Sequence, residues 1–353
     1  MKTEVLRIST DNFTSVINKA AKVIKSGGLV VFPTETVYGL GADATSSEAA
    51  RKIYSAKGRP SDNPLIIHIS SPREAEIYTE TSPLYYKLAQ RFMPGPLTVI
   101  MKAKPTVPFA TRGGLSTVAV RCPENPIANA LIKKAAVAIA APSANLSGSP
   151  SPTSASHAIS DMMGRVDMII DGGACEIGIE STIVKIEDDG SLTLLRPGKI
   201  TVEELLTVAD VVSIAGAVTD KLKSGERALS PGMKYRHYAP RCELVLIDGD
   251  RQGIADYVLS QGKKRLALIA YDEDIAFFEA KYPELKIMSF GPATDETEQA
   301  KRLFSLLREC DGLELDLILA PLPTPKGMGL ALYNRMIRAA AHQIIKCDGE
   351  ING

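Results

Sequence analysis

Residues Gly27 to Pro64 read GGLVVFPTETVYGLGADATSSEAARKIYSAKGRPSDNP, and the fold class follows from how this stretch changes character along its length. Leu29 to Phe32 is a short apolar run of β-branched and aromatic residues, the composition of a buried strand. Pro33 opens a polar loop carrying Thr34, Glu35, Thr36 and Tyr38 and closed by Gly39 and Gly41. From Ser46 to Ala56 the pattern is helical, with Ser46 or Ser47 as N-cap. The helix gives way to a Gly/Pro loop that presents Lys57 and Arg59. A strand end, a polar turn and two cations are thereby expected at one rim, and in an open α/β sheet the rim beyond the carboxyl ends of the strands is where ligands bind.

Working outward, Val5 to Ile8 reads as a strand and Asp11 to Ser26 as a helix ended by Gly27 and Gly28. PLIIHI at 64–69 is a second buried strand with His68 near its carboxyl end. Helical patterns at about 72–79 and 83–92 lead through Pro94-Gly95-Pro96 to a strand at 97–102. A loop containing TRGGLST then precedes a strand at 118–121 that ends in Arg121. A helix at 125–134, a strand at 137–141 and the hydroxyl- and amide-rich loop PSANLSGSPSP follow. Beyond these come a helix at 153–163, a strand at 168–171, and EIGIESTIV leading through Thr193 to Leu195 into Arg196-Pro197-Gly198. Helices alternating with strands define an α/β class with a twisted mixed sheet. Residues 1–207 are read as one domain and 208–241 as a basic linker. Residues 242–353 are read as a smaller Rossmann-like α/β domain of about four strands, at 243–247, 265–270, 286–290 and 315–320. Its helices are expected near 251–261, 273–281, 295–310 and 329–346, and no GxGxxG follows its first strand.

Composition narrows the classes. Mean hydropathy of +0.02 and 353 residues describe globular material sufficient for two cores. No apolar run is long enough for a membrane span and MKTEVLRIST lacks a signal-peptide core, so a cytoplasmic protein without membrane contact is expected. The five cysteines, at 122, 175, 242, 310 and 347, are scattered and form no CxxC pair, so they read as reduced thiols. A formal net charge of zero argues against a whole-chain, non-specific nucleic-acid binder. One local exception is 221–241, where six Lys/Arg face the single acid Glu226.

No Walker A, HExxH, GxSxG or kinase motif is present, yet the loops call for an anion. Lys57, Arg59, Arg112, Arg121 and Arg196 all fall at loop positions or strand ends among Ser, Thr, Asn and Gly. The strings KGRPSDNP and PSANLSG, in this setting, resemble the K-x-R and S-x-N signature of the YrdC domain, here Lys57, Arg59, Ser143 and Asn145. FPTETVYGLGADA, MPGPLTVIM, VAVRCP, GIESTIV and LLRPG are similar to that domain's other segments and occur in the same order. The carboxyl-terminal PTPKGMGLALYNRMIRAA is similar to the second domain of the longer members, so the whole chain resembles the two-domain L-threonylcarbamoyl-AMP synthases.

That resemblance implies condensation of L-threonine, bicarbonate and ATP, with Mg²⁺ carried mainly on the phosphates, to L-threonylcarbamoyl-AMP and pyrophosphate. The product would pass to a downstream tRNA threonylcarbamoyltransferase complex, with direct tRNA contact left open. By the same resemblance Lys57 and Arg59 serve the reacting phosphates, and Thr36, His68, Arg121 and Ser181 hold threonine. The nucleotide falls to Arg59, Asn63, Thr117, Ala141, Ser143, Asn145, Ser151, Arg196 and, from the linker as a lid, Tyr235. These side chains suit the chemistry, because cations spread triphosphate charge and a guanidinium fork matches a carboxylate. Two other readings remain at this point. One is an RNA-binding module of YrdC type without catalysis, weakened by 22 Lys/Arg against 20 Asp/Glu in residues 1–205. The other is carbamoyl-adenylate formation from carbamoyl phosphate, whose known chains carry acylphosphatase and zinc-finger segments that this sequence lacks.

Overall fold

The computed structural model describes residues 2–220, 237–262 and 264–347. Its contacts divide the chain into two units, Met1–Ser147 with Ser151–Tyr235, and Gly148–Pro150 with Arg236–Gly353. Strands of the first unit are β1 (Glu4–Arg7), β2 (Val30–Phe32), β3 (Gly39–Asp43), β4 (Ile66–His68), β5 (Leu97–Lys102) and β6 (Thr117–Arg121). They continue as β7 (Ile139–Ala140), β8 (Met168–Asp171), β9 (Thr182–Ile186), β10 (Leu192–Arg196) and β11 (Val212–Ile214). Its helices are α1 (Phe13–Lys25), α2 (Ser47–Lys57), α3 (Ala75–Tyr78), α4 (Pro83–Phe92), α5 (Pro126–Ala135), α6 (Ala155–Met162) and α7 (Val202–Leu205).

Among the described residues these strands form one sheet in the order β1-β8-β2-β3-β7-β4-β6-β5-β9-β10-β11. The sheet is mixed, as expected: β4 and β6 run parallel, while β2 with β3 and β5 with β6 run antiparallel. Helix α1 shows why the core forms here. Val16, Ile17, Ala20, Ala21 and Ile24 recur at helical spacing and are buried on Val30 and Phe32 of β2, Met168 and Ile170 of β8, and Leu131 and Ile132 of α5. Each large aliphatic side chain so buried contributes about 1.5–3 kcal/mol.

Helix α2 starts where Ser46 Oγ accepts the Ala49 N–H at 3.2 Å and stops at Gly58, whose left-handed φ of 61° turns the chain after Lys57. The strand registers then aim the site. His68 lies opposite Arg121 across β4 and β6, and Thr98 lies opposite Arg121 across β5 and β6, so three polar side chains share one level of the sheet.

The second unit carries β12 (Glu243–Gly249), β13 (Leu266–Tyr271), β14 (Lys286–Gly291), β15 (Leu317–Pro321) and β16 (Ile344–Cys347). Its helices are α8 (Arg251–Ser260), α9 (Asp272–Lys281), α10 (Glu296–Asp311) and α11 (Gly329–Ala339). The strands run parallel in the order β14-β13-β15-β12-β16, the Rossmann-like arrangement expected. Buried runs such as Leu244 to Ile247 and Ala267 to Ala270 suit a sheet covered on both faces.

Three local expectations are corrected. Gly39 and Gly41 belong to a strand, β3, rather than to the end of a loop. A Cβ on Gly41 would lie 2.6 Å from the Phe32 ring and 2.7 Å from Ile139 Cγ2, so glycine lets β3 pass between them. The helix expected to reach 346 ends at Ala339, because Ala341 and His342 take φ of 50° and 67°, and Ile344–Cys347 instead pairs with β12 as a fifth strand. Val212–Ile214, within the stretch read as linker, adds an edge strand beside β10. Ile214 in it and Val211 just before it are exposed, which erases the periodicity that marks a strand in sequence.

Candidate active site

Lys57, at the last turn of α2, is buried, and its Nζ donates to the carbonyls of Ser143 and Asn145, each at 2.5 Å. The Ser147 N–H answers by donating to the Lys57 carbonyl at 2.9 Å, so the helix end and the PSANLSG loop are stitched together. Within that loop Ser143 Oγ donates to Asn145 Oδ1 at 2.5 Å. Arg59 turns back onto its own loop, donating from Nε to the Asn63 carbonyl at 3.3 Å and from Nη2 to the Pro64 carbonyl at 3.0 Å. Asn63 itself is buried, with Oδ1 lacking any hydrogen-bond partner.

A second cluster lies where β4 and β6 end. Arg121 donates from Nη1 to Thr36 Oγ1 at 2.9 Å, from Nη2 to Glu35 Oε1 at 2.5 Å and from Nε to the Gly95 carbonyl at 3.4 Å. Glu35 and Arg121 are each only 5% exposed at the side chain, so this is a fully desolvated ion pair. Burial alone would raise the Glu35 pKa, but the charge and hydrogen bond of Arg121 outweigh it and hold the carboxyl below its ordinary value. His68, beside them, is pushed down to about 3 by burial and by the Arg121 charge, so its ring is neutral at physiological pH. Its Nδ1 is buried without a partner.

The third cluster is tied to the second through β5. Thr98 Oγ1 and Ser181 Oγ are 2.7 Å apart. Arg196 donates from Nη2 to Ser181 Oγ at 3.1 Å and from Nε to the Ser181 carbonyl at 3.0 Å. Ser151 Oγ donates to Glu180 Oε1 at 2.5 Å.

The structure thus joins Thr36 with Arg121, Lys57 with Ser143 and Asn145, Arg59 with the Asn63 carbonyl, and Ser181 with Arg196, and it sets His68 in register with Arg121. Ala141 is buried and its N–H donates to the Ile66 carbonyl at 2.9 Å. Thr117 stands opposite Lys102 at the start of β6, roughly 13 Å along the strand from Arg121 and toward the end of β4 at which Asn63 and Pro64 lie. Tyr235 and the basic stretch through 236 lie outside the described residues. Among the described residues no group of three or more His, Cys, Asp or Glu could hold a metal ion. The five cysteines are free thiols.

Three functional neighbours went unassigned in the sequence: Glu35, Thr98 and Glu180. Thr98 had a signal, as the one hydroxyl in the apolar run LTVIM. Glu35 sits between two threonines of the opening loop, but its partner is 86 residues away.

Hydroxyl and amide groups with guanidinium and ammonium partners, and a neutral histidine in register with Arg121, mark the first unit as an α/β domain with a polar ligand site. The Sua5/YciO/YrdC family model, described as "Telomere recombination", matches residues 22–198, and the model for the threonylcarbamoyl-AMP synthase C-terminal domain matches 200–341. A threonylcarbamoyl-AMP synthase of Pyrococcus abyssi is 43% identical over 340 residues, which cover 94% of this chain and 95% of that protein. The synthase of Bacillus subtilis is 42% identical over 335 residues, 94% of each chain. The crystal structure of P. abyssi Sua5 complexed with L-threonine matches with a TM-score of 0.87 and 41% identity, covering 99% of this chain and 100% of that one. The chain belongs to the two-domain threonylcarbamoyl-AMP synthase family. The family resemblance and fold class expected from the sequence are therefore correct, and the findings favour the synthase over an RNA-binding module without catalysis.

Proposed function

We propose that the chain condenses L-threonine, bicarbonate and ATP into L-threonylcarbamoyl-AMP with release of pyrophosphate, the activated intermediate for threonylcarbamoyladenosine in tRNA. The observation that carries this reading is the pairing, in one unit, of a guanidinium fork held by Thr36 and Glu35 with a loop of Ser143 and Asn145 anchored on Lys57. A relative of this chain at 41% identity has been solved with L-threonine.

On this reading the threonine carboxylate takes the Thr36 edge of Arg121 while Glu35 keeps the other edge, and neutral His68 offers a ring nitrogen to the amine or hydroxyl. The ammonium of threonine first loses a proton to solvent; the free amine nitrogen then attacks the bicarbonate carbon, a C–N bond forms, and hydroxide leaves with a second amine proton as water. A carbamate oxygen then attacks the α-phosphorus of ATP, and the bond from phosphorus to the β-bridging oxygen breaks to release pyrophosphate. Both partners are anionic, so Lys57 and Arg59 lower the barrier by holding charge where the leaving group develops. Mg²⁺ is proposed to arrive on the triphosphate, where it neutralises phosphate charge. No helix among the described residues is long and apolar enough to cross a membrane. We place the reaction in the cytoplasm, where a tRNA threonylcarbamoyltransferase complex takes the product.

Pyrophosphate release measured while ATP, bicarbonate and each amino acid are omitted in turn tests the proposal. Release that requires threonine and bicarbonate is the expected result, and folded protein with Mg²⁺ that shows none would overturn it.

A further inference from the structure

Arg112 is a buried cation that the proposed reaction leaves unused. It sits in the loop between β5 and β6 and is 7% exposed. Its Nε has no hydrogen-bond partner, and among the described residues no carboxylate lies within ion-pair distance of it. Burial pushes its pKa down with no charged neighbour acting on it. Charged groups taken out of water are ordinarily paired, and this one is not. The ring of Phe109, itself 64% exposed, stacks against the guanidinium at 4.0 Å, which fixes the plane of the group and leaves its N–H edges to a ligand.

The residues around Arg112 identify that ligand. Thr111 accepts the Leu65 N–H at 3.0 Å, and Gly113 packs so closely that an added Cβ would lie 3.0 Å from Pro64 N. Tyr54 Oη donates to the carbonyls of both Asn63 and Ala110, at 3.2 and 3.1 Å, and locks the two loops together. Arg112 is therefore flanked on either side by contacts to the segment whose carbonyls orient Arg59 and whose Asn63 Oδ1 is also buried and unpartnered. A guanidinium matches an oxyanion in bidentate fashion, and on the reading above the oxyanions beside Arg59 are phosphates.

We propose that Arg112 is a further phosphate-binding residue, which takes the β- and γ-phosphates of ATP and the pyrophosphate they become, with Phe109 holding its plane. The proposal rests on the synthase reading for the identity of the nucleotide. Calorimetric titration of the full chain and of its Arg112→Met and Arg112→Lys variants with Mg·ATP, pyrophosphate and AMP tests it. The expected result is a loss of roughly 10- to 100-fold in affinity for ATP and pyrophosphate in Arg112→Met, with AMP within about twofold and Arg112→Lys in between. In the pyrophosphate-release assay KM for ATP should rise while KM for threonine holds. The melting temperature of Arg112→Met should not fall, because methionine removes an uncompensated buried charge; a merely structural arginine would give the opposite. Unchanged affinity for ATP and pyrophosphate would overturn the proposal, as would an equal loss for AMP, or a loss of salt-sensitive RNA affinity with ATP binding intact. A parent protein that releases no pyrophosphate with threonine and bicarbonate defeats the synthase reading instead, and pyrophosphate titration still decides the fate of Arg112.

Discussion

Replacing Glu35 by Gln probes the pair on which the threonine side is built. Both partners are only 5% exposed, so loss of one charge strands Arg121 in a site with little water. Removal of one member of a buried pair costs about 3–5 kcal/mol, whereas an exposed pair is worth under about 1. In a domain of this size each kcal/mol moves the midpoint by about 2–4 °C, so the first unit of Glu35→Gln should melt about 6–20 °C lower at pH 7. The pH dependence carries a sign. The carboxyl pKa of Glu35 is lowered in the folded state, so its stabilisation is complete above the unfolded value near 4.5 and is lost as pH falls through the folded value. The gap between parent and variant should be flat from pH 8 to 5 and should narrow in acid. Calorimetric melts of the parent, Glu35→Gln, Arg121→Met and the double variant read both effects, and the double variant should be less destabilised than the sum of the singles. A single variant melting within about 1 °C of the parent at pH 7, or a gap that stays constant down to pH 3, would refute the reasoning.

Lys57→Ala should cut threonine-dependent pyrophosphate release by about 100- to 1,000-fold, and Lys57→Arg should not restore it, because two carbonyls at 2.5 Å leave no room for a planar fork. His68 is neutral in the folded protein down to about pH 3, so unfolding takes up a proton wherever the free ring is charged. Stability should fall from pH 6.5 toward 3 with a slope of up to about 1.4 kcal/mol per unit, and His68→Leu should flatten urea midpoints over that window. Gly41→Ala places a methyl 2.6 Å from the Phe32 ring and should cost about 1–3 kcal/mol by denaturant titration; an unshifted midpoint would mean that β3 moves aside freely.

The strand, turn and helix of residues 29–57 could be read from sequence because each signal is local: a β-branched run, the Ser46 cap and a glycine just after Lys57. Arginines at strand ends were legible for the same reason, since a short apolar run followed by a cation fixes the cation's place on the rim. What escaped was set by contacts distant in the chain. Gly41 looks like loop punctuation until Phe32 and Ile139 are known to press on either side of it. Ile344 to Cys347 looks like the tail of α11, since no residue type announces the left-handed backbone at Ala341 and His342. Glu35 looked like one more polar loop residue because Arg121, which makes it an ion pair, arrives by folding alone.

The clusters also differ in how their cations are oriented, and the difference matches the substrates proposed for them. Lys57 is aimed by the Ser143 and Asn145 carbonyls, Arg59 by the Asn63 and Pro64 carbonyls, and Arg196 by the Ser181 carbonyl and hydroxyl. Contacts of this kind to neutral dipoles fix a direction without themselves cancelling a charge. Arg121 is aimed by a carboxylate, and the histidine beside it is neutral, so that end of the site has little net charge. Threonine is a zwitterion and would be repelled by no part of such an end, whereas a triphosphate would gain little there. On the proposed reading, carbamate formation replaces the ammonium of the zwitterion by a second carboxylate, and the doubly anionic product is neutralised less well by the paired Arg121–Glu35 end than threonine itself is.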